Sequence, residues 1–181
     1  MPTLISGSTG VNKIQDNTIV NADINSSAAI AGSKLVMPTG SLLQVQSTRM
    51  LVQNEGAFSS ATTVMTQTIT PSATSSKILV MVNMTGCLTR DETTQGEMWI
   101  ERDGSSICRV EDYIGQHLYA AVHLGMDFLD SPSSTSSLSY TVRVQRKSGT
   151  ANIAINHYDG GGTANVALYA TSSLILMEIA G

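Results

Sequence analysis

The chain has 181 residues, a formal net charge of −4, and few charged (13%) or aromatic (4%) residues. Ser and Thr together supply 43 residues and Gly another 15, which is typical of a β-rich chain rather than a helix bundle. A chain of this length can bury roughly 70% of its unfolded surface, so it needs no disulfide scaffold. Its mild acidity does not fit the basic face of a nucleic-acid-binding domain, and we expect no nucleic-acid partner.

The first residues, Met1–Gly7, contain neither the basic region nor the apolar run of a signal peptide. The longest apolar run, Ile78–Val82, is far shorter than the ~20 residues of a membrane span. We therefore expect synthesis in a cytosol, without export by the usual route and without membrane insertion. Cys87 and Cys108 are too few for a disulfide framework and are predicted to be reduced, although their spacing leaves a bridge open.

Residues 1–38 differ from the rest of the chain. Their large apolar residues are isolated and recur at intervals of five or six positions: Ile14, Ile19, Ile24, Ile30 and Leu35. This spacing matches neither an amphipathic helix nor a half-buried strand. A single chain cannot enclose such residues, so the segment is either disordered or packed against copies of itself. Its isoleucines and low charge favour an extended oligomeric stalk or arm, within which residues 25–32 could form one short helix.

Residues 39–181 are predicted to be all-β and antiparallel, forming a sandwich or a barrel. Residues 138–145 alternate between apolar and polar side chains, and residues 153–155 continue in a second strand. Asp103-Gly104, which separates two short β segments, predicts a tight hairpin turn. Residues 42–52 and 64–70 are further strand candidates, and many short strands separated by turns are typical of these architectures.

Two predicted strands, residues 77–84 and 173–179, are apolar on both faces. One face of each can fill the core, whereas the other needs a second cover. We assign to that second face Leu79, Met81, Leu174 and Leu176. The cover is either a loop or short helix of the same chain or another subunit. Because residues 1–38 also point to oligomerisation, we favour a subunit interface.

Residues 16–35 read DNTIVNADINSSAAIAGSKL, residues 130–142 read DSPSSTSSLSYTV, and residues 176–180 read LMEIA. The first stretch resembles a stretch found in fibre proteins of tailed bacteriophages, notably phages of aquatic bacteria and cyanobacteria. The other two resemble the knob that ends many such fibres. The middle loops of the chain are not matched by this resemblance.

The resemblance implies a homotrimeric virion appendage with a slender stalk (residues 1–38) and a jelly-roll-like β-sandwich head (residues 39–181). Such a protein is assembled in the host cytoplasm and displayed on the virion exterior. Its N-terminal segment would join another virion protein, and its head would contact a host-surface glycan or protein. Because this sequence lacks the long joining domain of typical tail fibres, two alternatives remain. One is a capsid decoration (head fibre or cement) protein anchored by its N-terminal arm, and the other is a non-viral carbohydrate-binding β-sandwich.

We expect no enzymatic activity and no cofactor. The sequence lacks the motifs of serine hydrolases, phosphate-binding loops and zinc proteases. Asp91-Glu92 and Glu111-Asp112 are adjacent carboxylates, and solvated loops are the better prediction for both pairs. The histidines His117, His123 and His157 have no established ligand spacing, so we predict no metal site, although copies of one histidine could converge on a three-fold axis.

The candidate receptor contacts lie in the unmatched loops between predicted strands. They are Tyr113, Gln116, His117, Tyr119, Tyr158 and Asp159. Tyrosine stacks on sugar faces and donates hydrogen bonds, which suits binding of a glycan or a protein. The alternative is that these tyrosines belong to the core and that the second loop is merely flexible.

Overall fold

The computed structural model of this chain describes residue 27 and residues 36–89, 91–114, 122–157 and 171–181. Its contacts divide the chain into residues 1–36 and residues 37–181, and the second unit is described here. The predicted stalk residues and all but Ser27 of the predicted short helix lie outside the described part of the chain. Within the described ranges, no helix is long and apolar enough to cross a membrane.

The described residues of this unit form strands and no helix. The strands are β1 (Leu42–Met50), β2 (Asn54–Gly56), β3 (Thr62–Ile69), β4 (Lys77–Thr89), β5 (Gln95–Arg102), β6 (Ser105–Ile114), β7 (Val122–Asp130), β8 (Leu138–Ser148), β9 (Ile153–Ile155) and β10 (Ser172–Ile179). Every pairing between them is antiparallel. The all-β antiparallel prediction is therefore confirmed.

The strands form two sheets. The large sheet has the order β1-β10-β4-β9-β2, and β7 pairs with β4 on the side opposite β10. The small sheet has the order β3-β8-β5-β6. Buried side chains from both sheets form one hydrophobic cluster, including Ile78 and Val80 from β4 and Tyr140 and Val142 from β8. This arrangement is a β-sandwich with its core between the inner faces.

Local sequence explains one hairpin and one central strand of the small sheet. Asp103 and Gly104 join β5 to β6 and have φ angles of 50° and 82°. Both angles are positive, as a type I′ hairpin turn requires, and Asp and Gly tolerate this conformation. Strand β8 alternates between buried and half-buried residues from Leu138 to Val144, as its sequence predicts.

Two parts of the fold differ from the sequence expectation. Strand β7 was not predicted, because Val122–Asp130 mixes a histidine, a glycine and two aspartates with its apolar residues. Glu111, Asp112 and Tyr113 lie within β6 rather than in a loop. The backbone pairing of β6 continues to Ile114, past the apolar residues that marked the strand, so the sequence pattern underestimates its length. Asp91 and Glu92 do lie in a loop, between β4 and β5.

Candidate functional site

The candidate site is the outer face of the large sheet. In its strand β10, the residues that face inward and those that face outward are the reverse of the sequence prediction. Leu174 and Leu176 have no exposed surface and belong to the core. Ile175 and Met177 alternate with them and are half-buried on the outer face. Leu79 and Met81 of β4 lie on this outer face, as predicted from the sequence. The prediction was therefore wrong for Leu174 and Leu176, which face the core, and Ile175 and Met177 lie on the outer face instead.

The register of four strands places apolar side chains in one row across this face. Val45 pairs with Met177, Met177 pairs with Leu79, and Leu79 pairs with Leu129. Val45 is 48% exposed and Leu129 is 56% exposed, at the two ends of the row. We call Val45, Met177, Leu79 and Leu129 the apolar row. Contiguous exposed apolar surface of this kind marks sites of contact with other molecules.

The same face becomes polar along the strands. The second row contains Ser47, Ile175, Met81 and Asp127, and the third contains Arg49, Ser173, Asn83 and Gly125. Successive rows are two residues apart along each strand, so the polar third row lies about 13 Å from the apolar row.

A cavity of about 260 Å³ opens on the polar end of the face. It is lined by Met81, Val82, Asn83, His123, Gly125, Asp127, Ser173 and Ile175, and we call this group the Gly125 notch. Gly125 leaves its position on β7 open because it has no side chain, with His123 and Asp127 two positions away on the same face of the strand. Asn83 is the direct cross-strand partner of Gly125, and Ser173 is the partner of Asn83 on the next strand.

The outer face of the small sheet has a different character. The hydroxyls of Thr66 and Thr141 lie 3.3 Å apart, and Arg143 forms an ion pair with Glu101 at 3.1 Å. Trp99 also lies on this face, but the guanidinium of Arg109 covers its ring at 4.8 Å and the side chain is almost fully buried. Among the described residues, the small sheet therefore presents polar and charged groups to solvent, whereas the large sheet presents the apolar row.

Polar groups buried inside the head are held by the protein itself. The carboxylate of Glu178 accepts hydrogen bonds from the hydroxyls of Ser72 and Ser76, the backbone N–H of Ser72, and Nε2 of Gln44, at 2.6–2.7 Å. Burial raises the pKa of Glu178, but the hydrogen bonds from Ser72, Gln44 and Ser76 outweigh burial and leave the pKa below its ordinary value. This cluster ties the ends of β1 and β10 to the loop between β3 and β4.

A second buried cluster surrounds Asn156. Its Nδ2 donates to the carbonyl of Met50 at 2.6 Å and to that of Val52 at 3.2 Å, and its Oδ1 accepts from the Ser172 hydroxyl at 2.6 Å. Ser172 in turn accepts a hydrogen bond from the backbone N–H of Thr85. Because each polar atom is paired, the cluster stabilises the end of the large sheet and offers no group to a ligand.

The two cysteines are free thiols. Cys87 is buried, and burial raises the pKa of its thiol to about 12. The thiolate is the reactive form of cysteine, so Cys87 is a poor nucleophile. Its place in the hydrophobic cluster fits the role of a small core residue.

Most of the other residues singled out from the sequence lie outside the described part of the chain. These are the stalk residues Ile14, Ile19, Ile24, Ile30 and Leu35, and the receptor candidates Gln116, His117, Tyr119, Tyr158 and Asp159. Tyr113 is described only by its backbone, within β6. His123 lies on the outer face in β7, and the described residues contain no group of three His, Cys, Asp or Glu side chains that could hold a metal ion.

Sequence reasoning missed the Gly125 notch. Its residues come from β4, β7 and β10, and their proximity depends on pairing between strands that are far apart in the chain. One local signal was available: Gly125 interrupts a strand between His123 and Asp127. A glycine inside a strand often marks a place where a ligand or another backbone approaches closely.

Comparison with known proteins gives distant structural similarities. No family profile and no curated protein sequence matches this chain. Among solved structures, the infectious bursal disease virus VP2 subviral particle matches with a TM-score of 0.42 and 13% identity, over 76% of this chain and 38% of that chain. The Gx strain of the same virus matches with a TM-score of 0.39 and 13% identity, over 84% and 46%. Particles of T=1 symmetry derived from the virus match with a TM-score of 0.38 and 14% identity, over 85% of this chain and 40% of that chain.

The present chain spans less than half of the length of each of these three proteins. TM-scores at this level do not establish a shared fold. The assignment as an antiparallel β-sandwich therefore rests on the strand pairing of this chain alone.

Proposed function

We propose that this protein is a homotrimeric virion structural protein of the fibre type. Residues 1–38 form a stalk that joins another virion protein, and residues 39–181 form a head that contributes to host-surface attachment. The observation that carries the proposal is the apolar row, Val45, Met177, Leu79 and Leu129, on the outer face of the large sheet. Since the described outer face of the small sheet is polar, the apolar row is, among the described surfaces of the head, the one best suited to contact a second copy.

The size of this apolar face limits what the head can do alone. Four strands about 4.8 Å apart and two rows about 7 Å apart give an apolar area of roughly 300 Å². A stable interface buries about 800 Å² on each partner. The head contact is therefore weak by itself, and the isolated isoleucines of residues 1–38 must supply the rest of the trimer contact.

The virion role is supported by the sequence resemblance to tailed-phage fibre proteins. The resemblance covers residues 16–35 in the stalk and residues 130–142 and 176–180 in the head. In the head these residues form the end of β7, the connection to β8, the first half of β8 and the end of β10. Three copies of one head on each fibre, and several fibres on one particle, would multiply a weak contact with a host surface.

The mass of the protein in solution tests the trimer. One chain has a mass of 19.1 kDa, and light scattering of the full chain should give three times that value. A variant without residues 1–38 should show a concentration-dependent mixture of monomer and trimer. A full chain that is monomeric at all concentrations would overturn the oligomeric part of the proposal.

Immunogold labelling of intact particles tests the virion role. Gold particles on the tail or its fibres support a fibre, and their absence from virions overturns the virion role and leaves a non-viral carbohydrate-binding protein. Gold particles spread over the capsid shell, together with loss of capsid binding when residues 1–38 are deleted, would replace the fibre by a capsid decoration protein.

A further inference from the structure

Gly125 is not required by the backbone of β7. Its φ angle is not among the positive ones, and a Cβ built at this position would meet one atom within 4 Å, the carbonyl oxygen of Val82 at 4.0 Å. This distance is an ordinary van der Waals contact, so a side chain would fit. Glycine weakens the interior of a strand. What the glycine provides is the open volume of the Gly125 notch.

The polar side chains around this volume are not hydrogen-bonded to other described residues. Asn83, His123, Asp127 and Ser173 make no side-chain hydrogen bond within the described part of the chain, and the first three are exposed. Glu178 and Asn156, by contrast, have their polar atoms paired internally. The notch thus gathers hydrogen-bonding groups from three strands and leaves them available to a ligand.

The chemistry of the lining selects the class of ligand. Asn83 and Ser173 can both donate and accept hydrogen bonds, and the Asp127 carboxylate accepts them. Met81 and Ile175 supply apolar surface beside these groups. A sugar hydroxyl can donate a hydrogen bond to Asp127 and can donate to or accept from Asn83 and Ser173. The C–H face of a sugar ring can pack on Met81 and Ile175.

Charge and size narrow the class further. The described lining of the notch contains the Asp127 carboxylate and no Lys or Arg, and the nearest cation in these rows, Arg49, lies outside the lining beside Ser173. The negative charge inside the notch disfavours phosphate, sulfate and acidic sugars. A volume of about 260 Å³ is below the range of roughly 300–1,000 Å³ that is usual for drug-sized ligands. The notch therefore accommodates one ring rather than an extended chain.

We propose that the Gly125 notch binds one ring of a neutral carbohydrate. The site belongs to the folded head, so binding does not depend on a virion role. The notch spans the second and third rows, which lie about 7 and 13 Å from the apolar row. A subunit that covers only the apolar row therefore leaves Asn83, Ser173 and His123 accessible. Oligomerisation through the apolar row and carbohydrate binding can then occur on the same sheet.

Saturation-transfer NMR on the full chain tests this proposal with four neutral sugars: glucose, galactose, mannose and N-acetylglucosamine. At least one should bind with a Kd of roughly 1–10 mM, as expected for a ligand of this size. Glucuronic acid, which adds a negative charge, should bind more weakly than glucose. Absence of signal for all four neutral sugars, or tighter binding of glucuronic acid than of any of them, would overturn the proposal.

Gly125→Val links the binding to the notch. Valine fills the open volume and favours strand structure, so the variant should fold and weaken sugar binding by about tenfold or more. Thr68→Val places the same side chain on the exposed face of the small sheet and should bind like the unmodified protein. Unchanged binding by Gly125→Val would show that the sugar binds elsewhere.

If circular dichroism shows that Gly125→Val does not fold, Asn83→Ala takes its place. This exposed residue can lose its amide without leaving a buried group unpaired, and the same loss of binding is expected. Since these measurements use purified protein, a failure here leaves the virion role standing. Conversely, a protein absent from virions could still bind the sugar.

Discussion

The hydroxyl of Tyr140 donates a hydrogen bond of 2.6 Å to Oδ2 of Asp130 and thereby joins the two sheets of the sandwich. Tyr140 belongs to β8 of the small sheet, and Asp130 ends β7 of the large sheet. Arg102 of β5 contacts both carboxylate oxygens of Asp130, at 2.6 and 2.7 Å, and the N–H of Ser131 donates to Oδ1. Burial and then the bond to Asp130 raise the pKa of Tyr140, so the phenol remains a donor.

Tyr140→Phe should lower the free energy of unfolding by about 1.5–3 kcal/mol, the usual range for a hydrogen bond to a charged group. The ring still fills its place in the core, and Asp130 keeps Arg102 and Ser131, so the loss is confined to one hydrogen bond. Urea unfolding at neutral pH measures it. Thr68→Val is the matched control, because it also removes a hydroxyl, at an exposed position of the small sheet, and it should change stability by less than about 0.5 kcal/mol. An effect of Tyr140→Phe as small as that of the control would show that the bond contributes nothing.

The buried face of a strand with one polar face was predictable from sequence, whereas of the two strands with two apolar faces only β4 was predicted with the correct face inward. Leu138–Val144 alternates cleanly, so its register and its buried face follow directly. Strand β10 has apolar side chains on both faces from Leu174 to Met177, and its acidic residue, Glu178, faces inward with Leu174 and Leu176. The ordinary rule that carboxylates face water therefore gives the wrong phase. The buried carboxylate of Glu178 accepts hydrogen bonds from Ser72, Ser76 and Gln44. These residues are far away in the chain, so the sequence around Glu178 does not indicate them.

The candidate site was predictable only in part, because some of its residues are brought together by pairing between distant strands. The apolar outer face of β4 follows from Leu79 and Met81, because that strand exceeds what one core can bury. The Gly125 notch requires the pairings Asn83 with Gly125 and Asn83 with Ser173, which join three distant segments. Local sequence carries no information about these pairings.

Glu178 should make the stability of the head depend on acid. Its pKa in the folded state lies below the ordinary value of 4.5, so its contribution is complete above that value and is lost as the pH falls through the lower folded pKa. Glu178→Gln should lower the free energy of unfolding at pH 7 by about 1–3 kcal/mol, because an amide group meets the donors that the carboxylate accepted. Glu178→Gln should also lose less unfolding free energy than the unmodified protein when the pH falls from neutral to about 3.

Thermal unfolding at a series of pH values measures both effects of Glu178→Gln. Asp91 contributes to the acid dependence of both proteins, because hydrogen bonding to the Thr94 side chain lowers its pKa. The difference between the two profiles therefore isolates Glu178. Glu92→Gln, at an exposed position in a loop, should reproduce the unmodified profile. Parallel acid profiles for Glu178→Gln and the unmodified protein would contradict this assignment.

Leu174→Ala and Met177→Ala should separate the core from the outer face of β10. Leu174 has no exposed surface, so its truncation should cost about 2–5 kcal/mol in unfolding free energy. Met177 is half-buried in the apolar row, so its truncation should cost less than Leu174→Ala and should weaken self-association. Urea unfolding at low protein concentration measures the first effect, and light scattering over a concentration series measures the second. Equal stability losses with unchanged association would argue against an interface on this face.

Ile24→Asp should prevent assembly if residues 1–38 form a three-stranded stalk. The substitution places three carboxylates close to the three-fold axis, where each would be desolvated and would repel the other two, at a cost of several kcal/mol per charge. Ile19→Asp should act in the same way, whereas Thr18→Asp, between the isolated isoleucines, should leave the mass of the assembly unchanged. Sedimentation equilibrium of the three full-length variants gives the comparison. If Ile19→Asp and Ile24→Asp remain trimeric, residues 1–38 do not pack on a symmetry axis, and the head would have to hold the trimer through more than the apolar row.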